Sequence, residues 1–225
     1  MAQLFGSLPT KVFKDNKDSP FAPGRYTGRH IAAIKCLIAL GLTNNFKTKL
    51  VKLSYSQLES LTGCSKPMVV EGIKILEKEG LILKVPQAKS NVCNEYQLIF
   101  PEKSKFVRLP YSYLRQVLPD LPNKGVTALT ALRVYLILLQ IRPNHSQNVS
   151  ITYSRLEDYG INRKLIYKAL EVLIISNLIR VHKAEDSDGL GYTKACNEYW
   201  VPHLNLPNES SHSSEPLFHN EPLKA

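Results

Sequence analysis

The residues in this chain whose types and spacing could do chemistry gather first at Asn162, Arg163, Lys164, Tyr167 and Lys168. Three cations fall within six residues there, with no acid before Glu171. An Arg guanidinium can donate to guanine O6 and N7, an Asn amide can pair with adenine N6 and N7, and Lys and Tyr can hold phosphates. A second set of donors is spread over Ser65, Lys66, Lys74, Lys84 and Lys89, with Arg25 and Arg29 nearer the N-terminus. These groups suit contact with a polyanion, and none of them makes a nucleophile–base pair. The chain has no G-x-x-x-x-G-K-[ST] loop, no H-E-x-x-H and no G-x-S-x-G. His30, His145, His182, His203, His212 and His219 have no ligand spacing, and Cys36, Cys64, Cys93 and Cys196 form no C-x-x-C pair. No catalytic residue, metal ligand or cofactor is therefore assigned, and the chain is not expected to be an enzyme.

The elements that must position these groups occur twice. Leu53 to Val85 reads LSYSQLESLTGCSKPMVVEGIKILEKEGLILKV, and Ile151 to Val181 reads ITYSRLEDYGINRKLIYKALEVLIISNLIRV. Each is followed by a CNEY box, at Cys93 to Tyr96 and at Cys196 to Tyr199. The offset is 153 − 55 = 98 at the front and 196 − 93 = 103 at the back. One residue is lost in the turn before the long helix and six are gained in the hairpin, where loops tolerate changes of length. The pattern is a tandem duplication. Glu95 and Glu198 occupy equivalent strand positions of separate copies, so they read as a shared structural feature, such as a contact that fixes the hairpin, and not as paired catalytic acids.

Within the first copy, His30 to Leu42 is an apolar helix ended by Gly41 and the Thr43-Asn44-Asn45 cluster. Ser54 or Ser56 caps a helix to about Leu61, Thr62-Gly63-Cys64 is a turn, and Ser65 caps a helix to about Glu79. Val69, Ile73 and Leu76 mark the buried face of that second helix. Gly80, and Asn177 in the second copy, are placed to end it in the left-handed conformation. Leu81 to Val85 and Val92 to Phe100 then make a β-hairpin. The fold class expected is α+β, mainly α, as two tandem domains: 30–104 and 126–204. Residues 1–29 are expected as a flexible basic arm able to follow a groove, 105–125 as a packed connecting segment, and 205–225 as a disordered tail.

Helix, strand, helix, turn, helix, hairpin is the order of a winged helix, and both long helices resemble the recognition helix of winged helix-turn-helix proteins such as the GntR and MarR regulators. The second copy is similar through Asn162-Arg163-Lys164, Lys168-Ala169-Leu170, Leu173 and Leu178-Ile179. The first is similar through Ser65-Lys66, Ile73, Leu76 and Gly80-Leu81-Ile82, but has Glu71 where a cation or polar residue is usual. The resemblance implies insertion of the helix N-terminus into a major groove. The two-domain arrangement is similar to plasmid and phage replication initiators.

Charge and composition agree with that expectation. Residues 1–107 carry 16 Lys+Arg and 8 Asp+Glu, net +8, of a total of +10. Such an excess is the footprint of a polyanion binder. A hydrophobic content of 44% is that of a globular chain, and no apolar run reaches the roughly 18 residues of a membrane span. No signal-peptide pattern opens the chain and the cysteines are scattered, so a cytoplasmic location is expected. The second hairpin tip, with Glu185, Asp186 and Asp188, should avoid phosphates, whereas Lys84 and Lys89 in the first can approach them. Domain two is expected to read by its helix and domain one to add hairpin and phosphate contacts. The expected partner is double-stranded DNA, with the chain itself or other replication or transcription proteins as further partners. A transcriptional regulator of a mobile element or operon ranks above an origin-binding initiator, because no origin-melting module is evident. A protein-interaction scaffold or a subunit of a nucleoprotein complex is the alternative of another class.

Overall fold

The computed structural model describes residues 5–9, 12, 21–85, 93–100, 106–183 and 197–204. Two helices without a polar face lie at its centre: α1 (Thr27–Thr43) and α5 (Val126–Ile141). Every residue from Ile31 to Leu42 and from Ala128 to Leu139 is buried. A helix that is apolar all round must be covered on all sides, and these two pack on each other and on their own domains.

Each half then repeats one order. In the first, β2 (Leu50–Leu53) leads to α2 (Tyr55–Thr62), α3 (Lys66–Lys78), β3 (Ile82–Val85) and β4 (Asn94–Leu98). In the second, β6 (Asn148–Ile151) leads to α6 (Tyr153–Asp158), α7 (Arg163–Ile175), β7 (Arg180–Lys183) and β8 (Asn197–Trp200). The antiparallel sheets are ordered β2-β4-β3 and β6-β8-β7. Even the register repeats: Leu53 faces Asn94 and Ile151 faces Asn197, so the CNEY boxes sit alike. Tyr96 and Tyr199 are wholly buried beneath them. Glu95 faces outward and pairs with Lys52 across the strands at 3.8 Å.

Local chemistry sets the boundaries. Ser54 Oγ accepts from the Gln57 amide while Gln57 Oε1 accepts from the Ser54 amide, a reciprocal cap on α2. Ser65, expected to cap α3 through its side chain, makes no such bond; Pro67 in the first turn shapes that start. Gly80 and Asn177 both have positive φ, 66° and 48°, and end α3 and α7 as expected.

Three expectations are corrected. The stretch 1–29 is not a free arm throughout, because Gly6–Pro9 form strand β1 and pair antiparallel with β5 (Phe106–Leu109) of the connecting segment. All four of those β1 residues are buried. Gly41 does not end α1 but lies inside it, where a Cβ would stand 2.5 Å from the Leu8 side chain; its glycine lets β1 cross the helix. Third, Arg29 belongs to α1 and not to an arm. The connecting segment also forms α4 (Tyr111–Val117) after β5. Lys11, Lys14, Lys17, Lys89, the acidic tip at Glu185 to Asp188, Cys196 and the tail 205–225 lie outside the described residues.

Candidate nucleic-acid interface

Helix α7 buries Ile166, Ala169, Leu170 and Leu173 against α5, which turns Arg163, Lys164, Tyr167 and Lys168 to solvent. The same spacing in α3 buries Val69, Gly72, Ile73 and Leu76 against α1. Gly72 makes that crossing close, since a Cβ there would lie 2.9 Å from the Ala32 backbone.

The exposed groups of α7 are not equally available. Asn162 Oδ1 accepts from the Lys164 amide at 2.9 Å, so it serves as the helix cap. A bidentate contact with adenine would require that oxygen, and Asn162 is better read as a positioning residue. Arg163 donates to Glu157 Oε2 of α6 at 3.0 Å, an exposed pair that a base or phosphate can displace. Tyr167 is 65% exposed. Its hydroxyl is hydrogen-bonded to Glu171, which raises the phenol above its ordinary range. Lys164 and Lys168 are exposed and have no ion pair among the described residues. They stand four residues apart, one turn of helix, on one face.

Helix α3 is different. Glu71 pairs with Lys74 at 3.0 Å and with Arg29 at 3.3 Å. The Lys74 hydrogen bond and charge, with help from Arg29, hold the Glu71 carboxyl below its ordinary range. Two of the expected phosphate donors are thus tied to one acid. Ser65 and Lys66 are exposed at the start of α3, Lys84 is exposed on β3 with its Nζ 5.8 Å from the Tyr55 ring centre, and Arg25 and Arg29 flank the ring of Tyr26. Arg29 and Lys74 line one pocket with Tyr26 and Glu71.

Sequence reasoning missed a pair of buried cations. Lys35 of α1 donates to the carbonyls of Thr62 at 2.9 Å and Leu121 at 2.7 Å, and to Asn123 Oδ1 at 2.6 Å. Arg133 of α5 donates to the carbonyls of Tyr159 at 3.0 Å and Gly160 at 3.4 Å. The two lie 133 − 35 = 98 residues apart, the front offset of the duplication. Each reaches the C-terminal end of the short helix before the turn, where unpaired carbonyls carry partial negative charge. These cations pin the turn that aims α3 or α7. Burial lowers Lys35 to about 8 and Arg133 to about 10. The available signal was a cation inside each otherwise apolar helix at the repeat offset.

Among the described residues no group of three or more His, Cys, Asp or Glu is placed to hold a metal ion, and no helix is long and apolar enough to cross a membrane. Cys36 and Cys64 are buried and free, and Cys93 is exposed.

No protein-family model and no curated protein matches the chain. Among solved structures it is similar to subunit VPS25 of the endosomal trafficking complex ESCRT-II, at 14% identity over 80% of this chain and 92% of that chain. The TM-score of 0.24 is too low for this likeness to carry an argument about fold or function.

Proposed function

We propose that the chain is a tandem winged helix-turn-helix protein, arisen by duplication, that binds double-stranded DNA with sequence preference. Helix α7 is the principal reader. The observation that carries this reading is the pair Lys164 and Lys168, exposed one turn apart beside Arg163 at the open start of a helix whose other face is buried. Lys164 and Lys168 hold phosphates, Arg163 exchanges Glu157 for a guanine edge, and Asn162 fixes the first turn. Lys66 and Lys84 add backbone contacts from the first copy. The role proposed is transcriptional regulation by occupancy of an operator. An origin-binding initiator is the alternative, distinguished by whether bound DNA becomes locally single-stranded to a chemical probe.

The deciding measurement is selection from a random duplex library, followed by binding at two salt concentrations. A recovered motif with affinity falling steeply in salt is expected, and alanine at Arg163 should relax the motif. Undiminished binding by a chain with alanine at Arg163, Lys164 and Lys168 would overturn α7 as the reader.

A further inference from the structure

The C-terminal half of α7 is apolar where it should be polar. Ile174 is 46% exposed and Ile175 is 85% exposed, and Tyr167, 65% exposed, lies about two turns earlier. The first copy shows what an open surface looks like at these places. At an offset of 97 along the helix, Ile174 and Ile175 correspond to Glu77 and Lys78. An 85% exposed isoleucine beside a second one, in a fold that places charges there in its other copy, marks a surface with an occupant.

The chain's own path points to that occupant. His203 stacks on Tyr113 with ring centres 4.0 Å apart, and its Nε2 lies 3.2 Å from the Asn177 amide nitrogen. Tyr113 in turn donates to the Ser176 carbonyl at 2.8 Å. His203 therefore sits beside the residues that end α7, while the carbonyl of Leu204, the last described residue, accepts from Gln147 just before β6 at 3.3 Å. Residues 205–225 follow, with Pro216-Leu217-Phe218 between Glu215 and Glu221. The 12 residues from Asn205 to Pro216 can span up to roughly 40 Å, against about 20 Å for the whole of α7 from Arg163 to Ile175. Glu215 and Glu221 complement Lys168 and Arg180, the cations that stand on either side of the isoleucines along the chain.

We infer that Leu217 and Phe218 dock on Ile174 and Ile175, so that the C-terminal segment lies along α7. Tethering supplies a high effective concentration, which lets a two-residue apolar anchor hold. A second copy is the competing occupant, and the test separates it from the segment.

The test uses the full chain without DNA, so that its failure is separate from any failure of the DNA reading. Isoleucine δ1 methyls are labelled and contacts to aromatic protons are recorded by NMR. Cross-peaks from Ile174 and Ile175 to the Phe218 ring within one chain are expected. They should vanish in Phe218→Asp and in Ile175→Lys, the latter matching Lys78, while the other methyl signals keep their positions. Cross-peaks that arise only between differently labelled copies would show a second copy on the patch and overturn the assignment. Absent cross-peaks, with both methyl shifts unmoved by Phe218→Asp, would overturn it as well.

Discussion

Set side by side, the two halves of this molecule share a frame and differ in their surfaces. Strand register, sheet order, the buried Tyr96 and Tyr199, and the buried cations Lys35 and Arg133 occupy equivalent places. The exposed faces of α3 and α7 diverge position by position. Pro67 stands for Lys164, Val70 for Tyr167, Glu71 for Lys168, and Glu77-Lys78 for Ile174-Ile175. Burial restricts what the frame accepts, because a core position answers to volume and hydrogen bonding at once. Surface positions answer only to what touches them, so the two copies are free to specialise. The proposed division follows: α7 reads, and the first copy supports it.

The largest effect that tests the shared frame is Lys35→Met. Methionine fills the space but leaves the Thr62 and Leu121 carbonyls and Asn123 Oδ1 without their donor. At about 1–3 kcal/mol for each buried group left unpaired, the loss should be about 3 kcal/mol or more. Arg133→Met strands two carbonyls and should cost less. Urea unfolding measures both. If either variant unfolds at the wild-type midpoint, the buried cations are not what holds the turns.

Next comes the pH dependence of that same lysine. Burial lowers Lys35 to about 8 from 10.5, so between those values the unfolded chain binds more protons than the folded one. Stability carried by this group therefore rises as pH climbs from 8 toward 10.5, and the penalty of its charged form is complete below 8. From pH 8 to pH 10 the wild type should gain about 2 kcal/mol relative to Lys35→Met. A flat difference across that range would show that the lysine titrates as it does in water.

A smaller effect tests the divergent surfaces. Alanine at Lys164 or Lys168 should weaken DNA binding on all sequences alike and lower the salt slope by about 1 for each lysine removed. Alanine at the matching first-copy positions, Pro67 and Glu71, should not lower that slope.

Much of the frame was legible because periodicity and repetition record burial directly. Val69, Ile73 and Leu76 declared the inner face of α3, and Gly80 and Asn177 declared the helix ends. The strand at Gly6–Pro9 was not legible, since its partner lies a hundred residues away and its buried side chains are few. Gly41 read as a terminator because a helix glycine used for close approach has the same local signature as one used to stop. At the candidate interface, the cations were legible but their partners were not. Nothing local in the sequence links Arg29 to Glu71, whereas Asn162, the counterpart of Ser65 at the helix start, carried a local capping signal that its base-pairing chemistry overshadowed.

The smallest expected effect bears on how far the first copy takes part at all. Glu71 holds Arg29 and Lys74 on an exposed face, and surface pairs of this kind contribute little to stability. Glu71→Gln should therefore leave the unfolding midpoint within about 0.5 kcal/mol of wild type. What it changes is availability: both cations lose their carboxylate, and a negative charge leaves the face that would meet phosphate. If α3 lies against DNA, affinity should rise several-fold at low salt and the gain should fade as salt increases, because screening removes the repulsion that the substitution relieves. If α3 faces away, affinity will not move while Lys168→Glu in the second copy still abolishes binding. That outcome would make the first copy a mounting for the second, and the specialisation between the halves would be complete.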